Sequence, residues 1–253
     1  MLRILLLLGI IVGVASLPII SDRFFTQNKK SLNKESVEKI VDDYISDNPS
    51  KILDSIIRWQ IDNEKKNNEV RSNEVKEQIK VYENELLDFS YPTVGNKDSK
   101  VVAVEFFDYA CGYCKKMKDD VKQLIADGAV KYVFRDLPIL GDNSLRATRA
   151  ALAVYFIDNN RYLDFYDAAL SYSNPITDDA IYEIIKSIAI DNHDFDNSLN
   201  ENADKIDVMI GKSRELANDL GINGIPVTII GDNLFSGAVG YDVLYKKISE
   251  LAN

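Results

Sequence analysis

Residues 101–118 read Val-Val-Ala-Val-Glu-Phe-Phe-Asp-Tyr-Ala-Cys-Gly-Tyr-Cys-Lys-Lys-Met-Lys. The first seven are β-branched, aromatic or small residues around one charge, Glu105, which is the pattern of a buried strand. From Lys115 onward, Met117, Val121, Leu124 and Ile125 give an amphipathic helix. Cys111 and Cys114 therefore sit where a strand turns into a helix. Unpaired backbone N–H groups and the helix dipole favour negative charge there. The Cys111 thiolate is stabilised by that placement and becomes the nucleophile. Cys114 lies one turn later, close enough for an intramolecular disulfide and placed to resolve a mixed disulfide. The competing readings of such a pair are half of a metal site or an accidental spacing.

Composition narrows the alternatives. The chain has 253 residues, 40 acidic against 30 basic, with a net charge of -10, two cysteines and one histidine. The length suits one or two domains. The acidic balance argues against nucleic acid, which needs a basic face. Two cysteines cannot build a disulfide-rich scaffold, and with one histidine they cannot supply four zinc ligands, so no metal site and no cofactor are expected. A hydrolase built on a histidine would have to use His193, the only one present.

The N-terminus reads as an address. Arg3 is followed by no charged side chain from Ile4 to Ser21, and Val14-Ala15-Ser16 suits cleavage after Ser16. The rival is an uncleaved anchor, since about 18 charge-free residues are just long enough to span a bilayer. Either way the domain is exported, and in an oxidising compartment a close cysteine pair is redox-active more often than metal-binding. Val37, Ile40, Val41, Tyr44 and Ile45 then mark one face of a helix, ended by Asn48-Pro49. Ile52, Leu53, Ile56, Ile57 and Ile61 mark a second short helix. Asp62 to Gln78 is nearly all polar, a solvated helix or a connector. Val75, Ile79, Tyr82, Leu86 and Phe89 form a seam of only two heptads, a weak coiled-coil signal. Two short amphipathic helices bury little on each other, so subunits meeting through them is the favoured reading, with folding back onto the main domain as the alternative.

The stretch Glu105-Phe106-Phe107-Asp108-Tyr109-Ala110-Cys111-Gly112-Tyr113-Cys114 resembles the active-site strand and helix start of the DsbA family of thioredoxin-fold proteins. The resemblance continues through Phe134-Arg135-Asp136-Leu137-Pro138-Ile139-Leu140 and ends at Gly224-Ile225-Pro226-Val227-Thr228, which is similar to the family's cis-proline loop. It spans residues 91–253. The N-terminal helical region resembles the extended alpha-proteobacterial branch and the trimeric ScsC-type proteins. The resemblance implies an α/β thioredoxin fold with a helical insertion and an N-terminal helical extension. It implies Cys111 as nucleophile, Cys114 as resolving thiol, a cis Pro226 packed against the disulfide, and Ile225 offering backbone hydrogen bonds to a substrate peptide. Gly112 and Tyr113, between the cysteines, join Ile225 as substrate-facing residues. Glu105, in an apolar strand, would carry a raised pKa and pass a proton to or from Cys114; a strand-end glutamate reaching solvent is the plainer alternative. Tyr113 carries no positive charge, so the disulfide should be less oxidising than one with histidine beside Cys114. Cys-Gly-Tyr-Cys is also the pair of DsbC-like isomerases.

Beyond the motif, Val130 to Phe134 reads as a strand. Helices are expected after a cap at Asn143-Ser144, over Tyr162 to Leu170, after Thr177, and from Ile206 to a stop at Gly221. His193 falls between helices, on the surface. Val227 to Ile230 and Leu234 to Ser236 form a hairpin, and Tyr241 to Leu251 the closing helix. The domain reading is a leader over 1–16, a helical oligomerisation region and linker over 17–89, and a thioredoxin-fold domain over 90–253 with a helical insertion at 141–219. The chain reads as a periplasmic thiol–disulfide oxidoreductase, favoured as a homo-oligomeric isomerase, a dimer or trimer through residues 32–89. Its partners would be exported proteins with cysteines and a membrane redox partner. The rivals are a monomeric dithiol oxidase, a chaperone, and a Cu(I) carrier using the two thiolates.

Overall fold

The computed structural model describes residues 33–252, which form ten helices and five strands. The leader and its cleavage point after Ser16 lie outside the described residues. The chain divides into two compact units, Met1–Lys65 and Lys66–Asn253.

In the first unit, α1 (Lys34–Asp47) starts at Asn33, whose side chain accepts the Ser36 N–H at 2.8 Å. Pro49 opens α2 (Pro49–Val81) in the first turn, where its missing N–H costs no intrahelical bond. The apolar faces read from sequence are present and uncovered: Val37, Ile40, Val41, Tyr44 and Ile45 on α1, and Leu53, Ile56, Ile57 and Ile61 on α2, are all exposed. The second helix is not short. It runs 33 residues, through the polar stretch, to Val81. Glu, Lys, Gln and Arg there are good helix formers, and burial at Ile79 anchors the far end.

In the second unit the heptad spacing has an explanation inside the chain. Ile79 on α2 and Leu86 on the one-turn α3 (Glu83–Leu86) are buried in the main core, with Val75 and Tyr82 packed against it. Ile79 and Leu86 lie beside Val102, Val104 and Ile229 of the sheet. Phe89 stays exposed, with the Lys131 ammonium 4.6 Å from its ring centroid. The seam thus covers one face of the sheet and does not form a coiled coil. Leu86→Ala is expected to lower stability by about 2–4 kcal/mol, read from urea unfolding. A loss below about 1 kcal/mol would show that the seam is loosely docked.

The sheet has strand order β1-β3-β2-β4-β5, where β1 is Thr93–Gly95, β2 Val102–Phe107, β3 Lys131–Asp136, β4 Val227–Ile230 and β5 Asn233–Ser236. β2 and β3 are parallel and joined by α4 (Gly112–Ala126), while the other pairs are antiparallel. Sequence reading does not find β1, because three residues after a proline carry no alternation. Its end is fixed by Gly95, at φ +89°, where a Cβ would come 2.5 Å from the Val130 carbonyl oxygen.

Between β3 and β4 stand α5 (Asp142–Ile157), α6 (Asn159–Ser171), α7 (Asp178–Ser187), α8 (Asn192–Glu201) and α9 (Ala203–Asp219), and α10 (Tyr241–Ala252) closes the chain. Two local expectations are corrected. Gly141, not Asn143-Ser144, is the N-cap of α5; the Asn143 side chain instead accepts from Arg146 at 2.8 Å, and Ser144 is buried. His193 is exposed as expected but lies in the first turn of α8, capped by Asp191, whose carboxylate accepts the His193 N–H at 2.8 Å. That helix is nearly all polar, with Phe195 the one apolar side chain it buries, so periodicity is faint.

Candidate active site

Cys111 is the N-cap of α4 and sits in extended backbone, so the Tyr113 and Cys114 N–H groups of the first turn face its sulfur. Asp108 builds the turn that puts it there. One carboxylate oxygen of Asp108 accepts the Ala110 N–H at 2.7 Å, and its carbonyl accepts the Cys111 N–H at 3.0 Å. Its other carboxylate oxygen accepts the Ile139 and Leu140 N–H groups at 2.8 and 3.0 Å, tying the loop after β3 to the same point. Asp108 is fully buried. The sequence signal was an aspartate two residues before the turn's donor, an ordinary Asx-turn pattern.

The Cys111 thiol lies 3.6 Å from the Ile225 carbonyl oxygen, and the Ile225–Pro226 peptide bond is cis. The two cysteines are unbridged thiols. The Cys114 thiol, donating to the Cys111 sulfur, pulls the Cys111 pKa down to about 6; burial opposes this, and the Cys114 and Tyr113 N–H groups reinforce it. Cys114 is pushed strongly upward by that same hydrogen bond, by burial and by the Glu105 charge. One thiol is poised as a thiolate and the other holds its proton.

Glu105 is fully buried in β2, so it does not reach solvent at a strand end. Burial raises its pKa to about 8, against the pull of the Tyr166 and Tyr132 hydroxyls, with the Asp136 charge adding to the rise. Those two hydroxyls donate to one carboxyl oxygen at 3.3 Å each, and the other oxygen has no partner. Asp136, on β3 next to Phe107 in register, is a second buried carboxyl, pushed by burial to about 7. The Tyr162 hydroxyl donates to it at 2.8 Å and lies 3.5 Å from the Tyr109 hydroxyl. Two acids and four tyrosines thus form one buried cluster near Cys114. Sequence reading picked out Glu105 and missed Asp136 and the tyrosines. The signal was alternation on β3, where Tyr132, Phe134 and Asp136 fall on one face.

Tyr113 is exposed, with the Lys116 ammonium 5.3 Å from its ring centroid. A Cβ at Gly112 would meet nothing within 4 Å, so this glycine leaves the approach to Cys111 open without being forced by crowding. Among the described residues no cluster of three or more His, Cys, Asp or Glu side chains is placed to hold a metal ion.

Residues 102–249 match the DSBA-like thioredoxin domain. The chain belongs to that family. The thiol–disulfide exchange protein alpha-DsbA2 of Wolbachia pipientis is 52% identical, with a TM-score of 0.71, and the match covers 72% of this chain and 98% of that one. Proteus mirabilis ScsC in a compact conformation is 26% identical, TM-score 0.59, over 86% of this chain and 97% of that one. Disulfide bond formation protein D of Bacillus subtilis is 25% identical over 63% of this chain and 76% of its own length. The DsbA-like fold is therefore established, and with it a thiol–disulfide oxidoreductase of the DsbA and ScsC type. No helix among the described residues is long and apolar enough to cross a membrane.

Proposed function

We propose that this oxidoreductase reshuffles disulfides in exported proteins as a homo-oligomer, with Cys111 as nucleophile and Cys114 as resolving thiol. The observation that carries the isomerase reading is the uncovered apolar face of α1 and the first half of α2, from Val37 to Ile61. Large uncovered apolar helix faces mark association surfaces. Supporting this, the likeness to ScsC covers 86% of the chain, well beyond the residues that match the family domain.

In the reaction, the Cys111 thiolate attacks one sulfur of a substrate disulfide. The S–S bond breaks, a Cys111–substrate disulfide forms, and the displaced substrate thiolate takes a proton. In reshuffling, that substrate thiol attacks a different disulfide of the same protein, and a second thiolate then displaces Cys111. If no such attack occurs, Cys114 gives its proton to Glu105 and attacks the Cys111 sulfur. The substrate leaves reduced and the protein is left as the disulfide. Burial, with the Asp136 charge adding to it, holds the Glu105 pKa at about 8, so at pH 7 roughly a tenth of Glu105 is ionised and that carboxylate is a strong base for the Cys114 proton. Ile225 presents an N–H with no partner among the described residues to an extended substrate segment.

The test is refolding of a scrambled-disulfide substrate by the chain from Leu17 and by a chain beginning at Lys66, the first residue of the second unit. The shorter chain keeps the docked helix end with Ile79 and Leu86. It is expected to sediment as a monomer, to keep dithiol oxidation within about twofold, and to lose most reshuffling. Equal reshuffling by both would make the protein a dithiol oxidase and remove the assembly role from α1.

A further inference from the structure

The second half of α2 does more than dock on the sheet: it also reaches the cleft beside the cysteine pair. A cavity of about 560 Å³ is lined by Arg71 and Val75 of α2, by Tyr113, by the loop through Ile222 to Ile225, and by Leu234 of β5. Tyr113 and Ile225 belong to the candidate active site, so the cavity is continuous with it. Its walls are otherwise apolar or uncharged, and Arg71 is the only charged residue among the described residues lining it. Arg71 is exposed and forms no ion pair with any described carboxylate. On a chain of net charge -10, a cleft whose one charge is an unpaired guanidinium is a local inversion of sign.

We propose that this cleft seats an extended peptide flanking the substrate cysteine, and that Arg71 selects peptides carrying a carboxylate beside an apolar residue. The inference rests on Cys111 being the nucleophile. The peptide's backbone would pair with the main chain at Ile225, its apolar side chain would enter among Val75, Ile222 and Leu234, and its carboxylate would face Arg71. A planar guanidinium suits that partner, since it meets a carboxylate through two parallel N–H donors. The second half of α2 thereby contributes a specificity-determining wall to the substrate cleft.

The experiment uses the purified chain carrying Cys114→Ser and ten-residue peptides whose cysteine is capped as a disulfide with thionitrobenzoate. Attack by the Cys111 thiolate forms the protein–peptide disulfide and releases coloured thionitrobenzoate, so the exchange needs no external oxidant or reductant. Peptides differ only in Glu, Gln or Lys at one of three positions on each side of the cysteine. At one or more positions the Glu peptide is expected to react roughly five- to tenfold faster than the Lys peptide. Arg71→Glu should reverse that order, and molar salt should flatten it. Exchange with uncharged hydroxyethyl disulfide is measured for the parent and for Arg71→Glu, and each peptide rate is read relative to it, so that any general effect on Cys111 cancels. Equal rates for all peptides, with and without Arg71, would overturn the assignment while leaving Cys111 as nucleophile. No release with any peptide or with hydroxyethyl disulfide would overturn the nucleophile reading, and the cleft assignment with it.

Discussion

Cys111→Ser abolishes exchange, lowering its rate by roughly a thousandfold or more, whereas Cys114→Ser leaves the first attack intact and accumulates a protein–substrate disulfide. The asymmetry follows from the N-cap. The Cys111 sulfur accepts hydrogen bonds from the Cys114 thiol and from the first N–H groups of α4, and its pKa falls to about 6. At pH 7 roughly nine-tenths of it is thiolate, against a few per cent for an ordinary cysteine. Cys114 is fully buried and has its pKa raised, so it waits until Cys111 is bonded to substrate. Alkylation by iodoacetamide, followed against pH by mass spectrometry, should show Cys111 modified with a midpoint near about 6 and Cys114 untouched. Equal labelling of both cysteines, or a Cys111 midpoint above 8, would sink the assignment of roles.

Glu105→Gln is expected to make the protein more stable at pH 8 and slower at resolving mixed disulfides. The Glu105 carboxyl has a folded pKa of about 8 against an ordinary value of 4.5. A carboxyl with its folded pKa raised binds more protons folded than unfolded. Its contribution is therefore favourable below about pH 4.5 and is lost as pH rises toward 8, at about 1.4 kcal/mol per pH unit. Glutamine keeps a neutral partner for the Tyr132 and Tyr166 hydroxyls and removes the titration. The variant should gain on the order of 4 kcal/mol over the parent at pH 8 and almost nothing at pH 4.5. Resolution of a preformed mixed disulfide by Cys114 should slow roughly a hundredfold, because the proton acceptor is gone. Denaturant unfolding at the two pH values and stopped-flow release of substrate check the two halves separately. A stability difference independent of pH would mean that Glu105 does not titrate in the folded protein.

Much of this was legible from residues 101–118. A β-branched run and a helical period around two cysteines placed the strand, the helix and the nucleophile by local rules, whereas the Asx turn at Asp108 came into view only with the structure. The hairpin at Val227–Ser236 and the cap at Thr177 were equally local. What stayed hidden depends on contacts between distant segments. The heptad seam at Val75–Leu86 has the same spacing whether it meets another subunit or the chain's own sheet, and only tertiary structure distinguishes the two. β1 is held by pairing with β3, and α8 by the burial of Phe195; neither has a period of its own. Asp136 lies 31 residues from Glu105, and its partnership with that acid follows from strand register alone.

The placement of Cys111 also sets how many protons accompany each pair of electrons. Above about pH 6 its sulfur stays ionised in the reduced protein while Cys114 remains protonated. Reduction of the disulfide then takes up one proton, not two, and the couple's potential falls by about 30 mV per pH unit, half the slope of an ordinary dithiol. In a compartment whose acidity follows the surroundings, substrates with ordinary thiols lose reducing tendency faster than this protein as the medium acidifies. Acidification therefore tilts electron flow from protein to substrate, and the direction of exchange follows the medium without any change in fold.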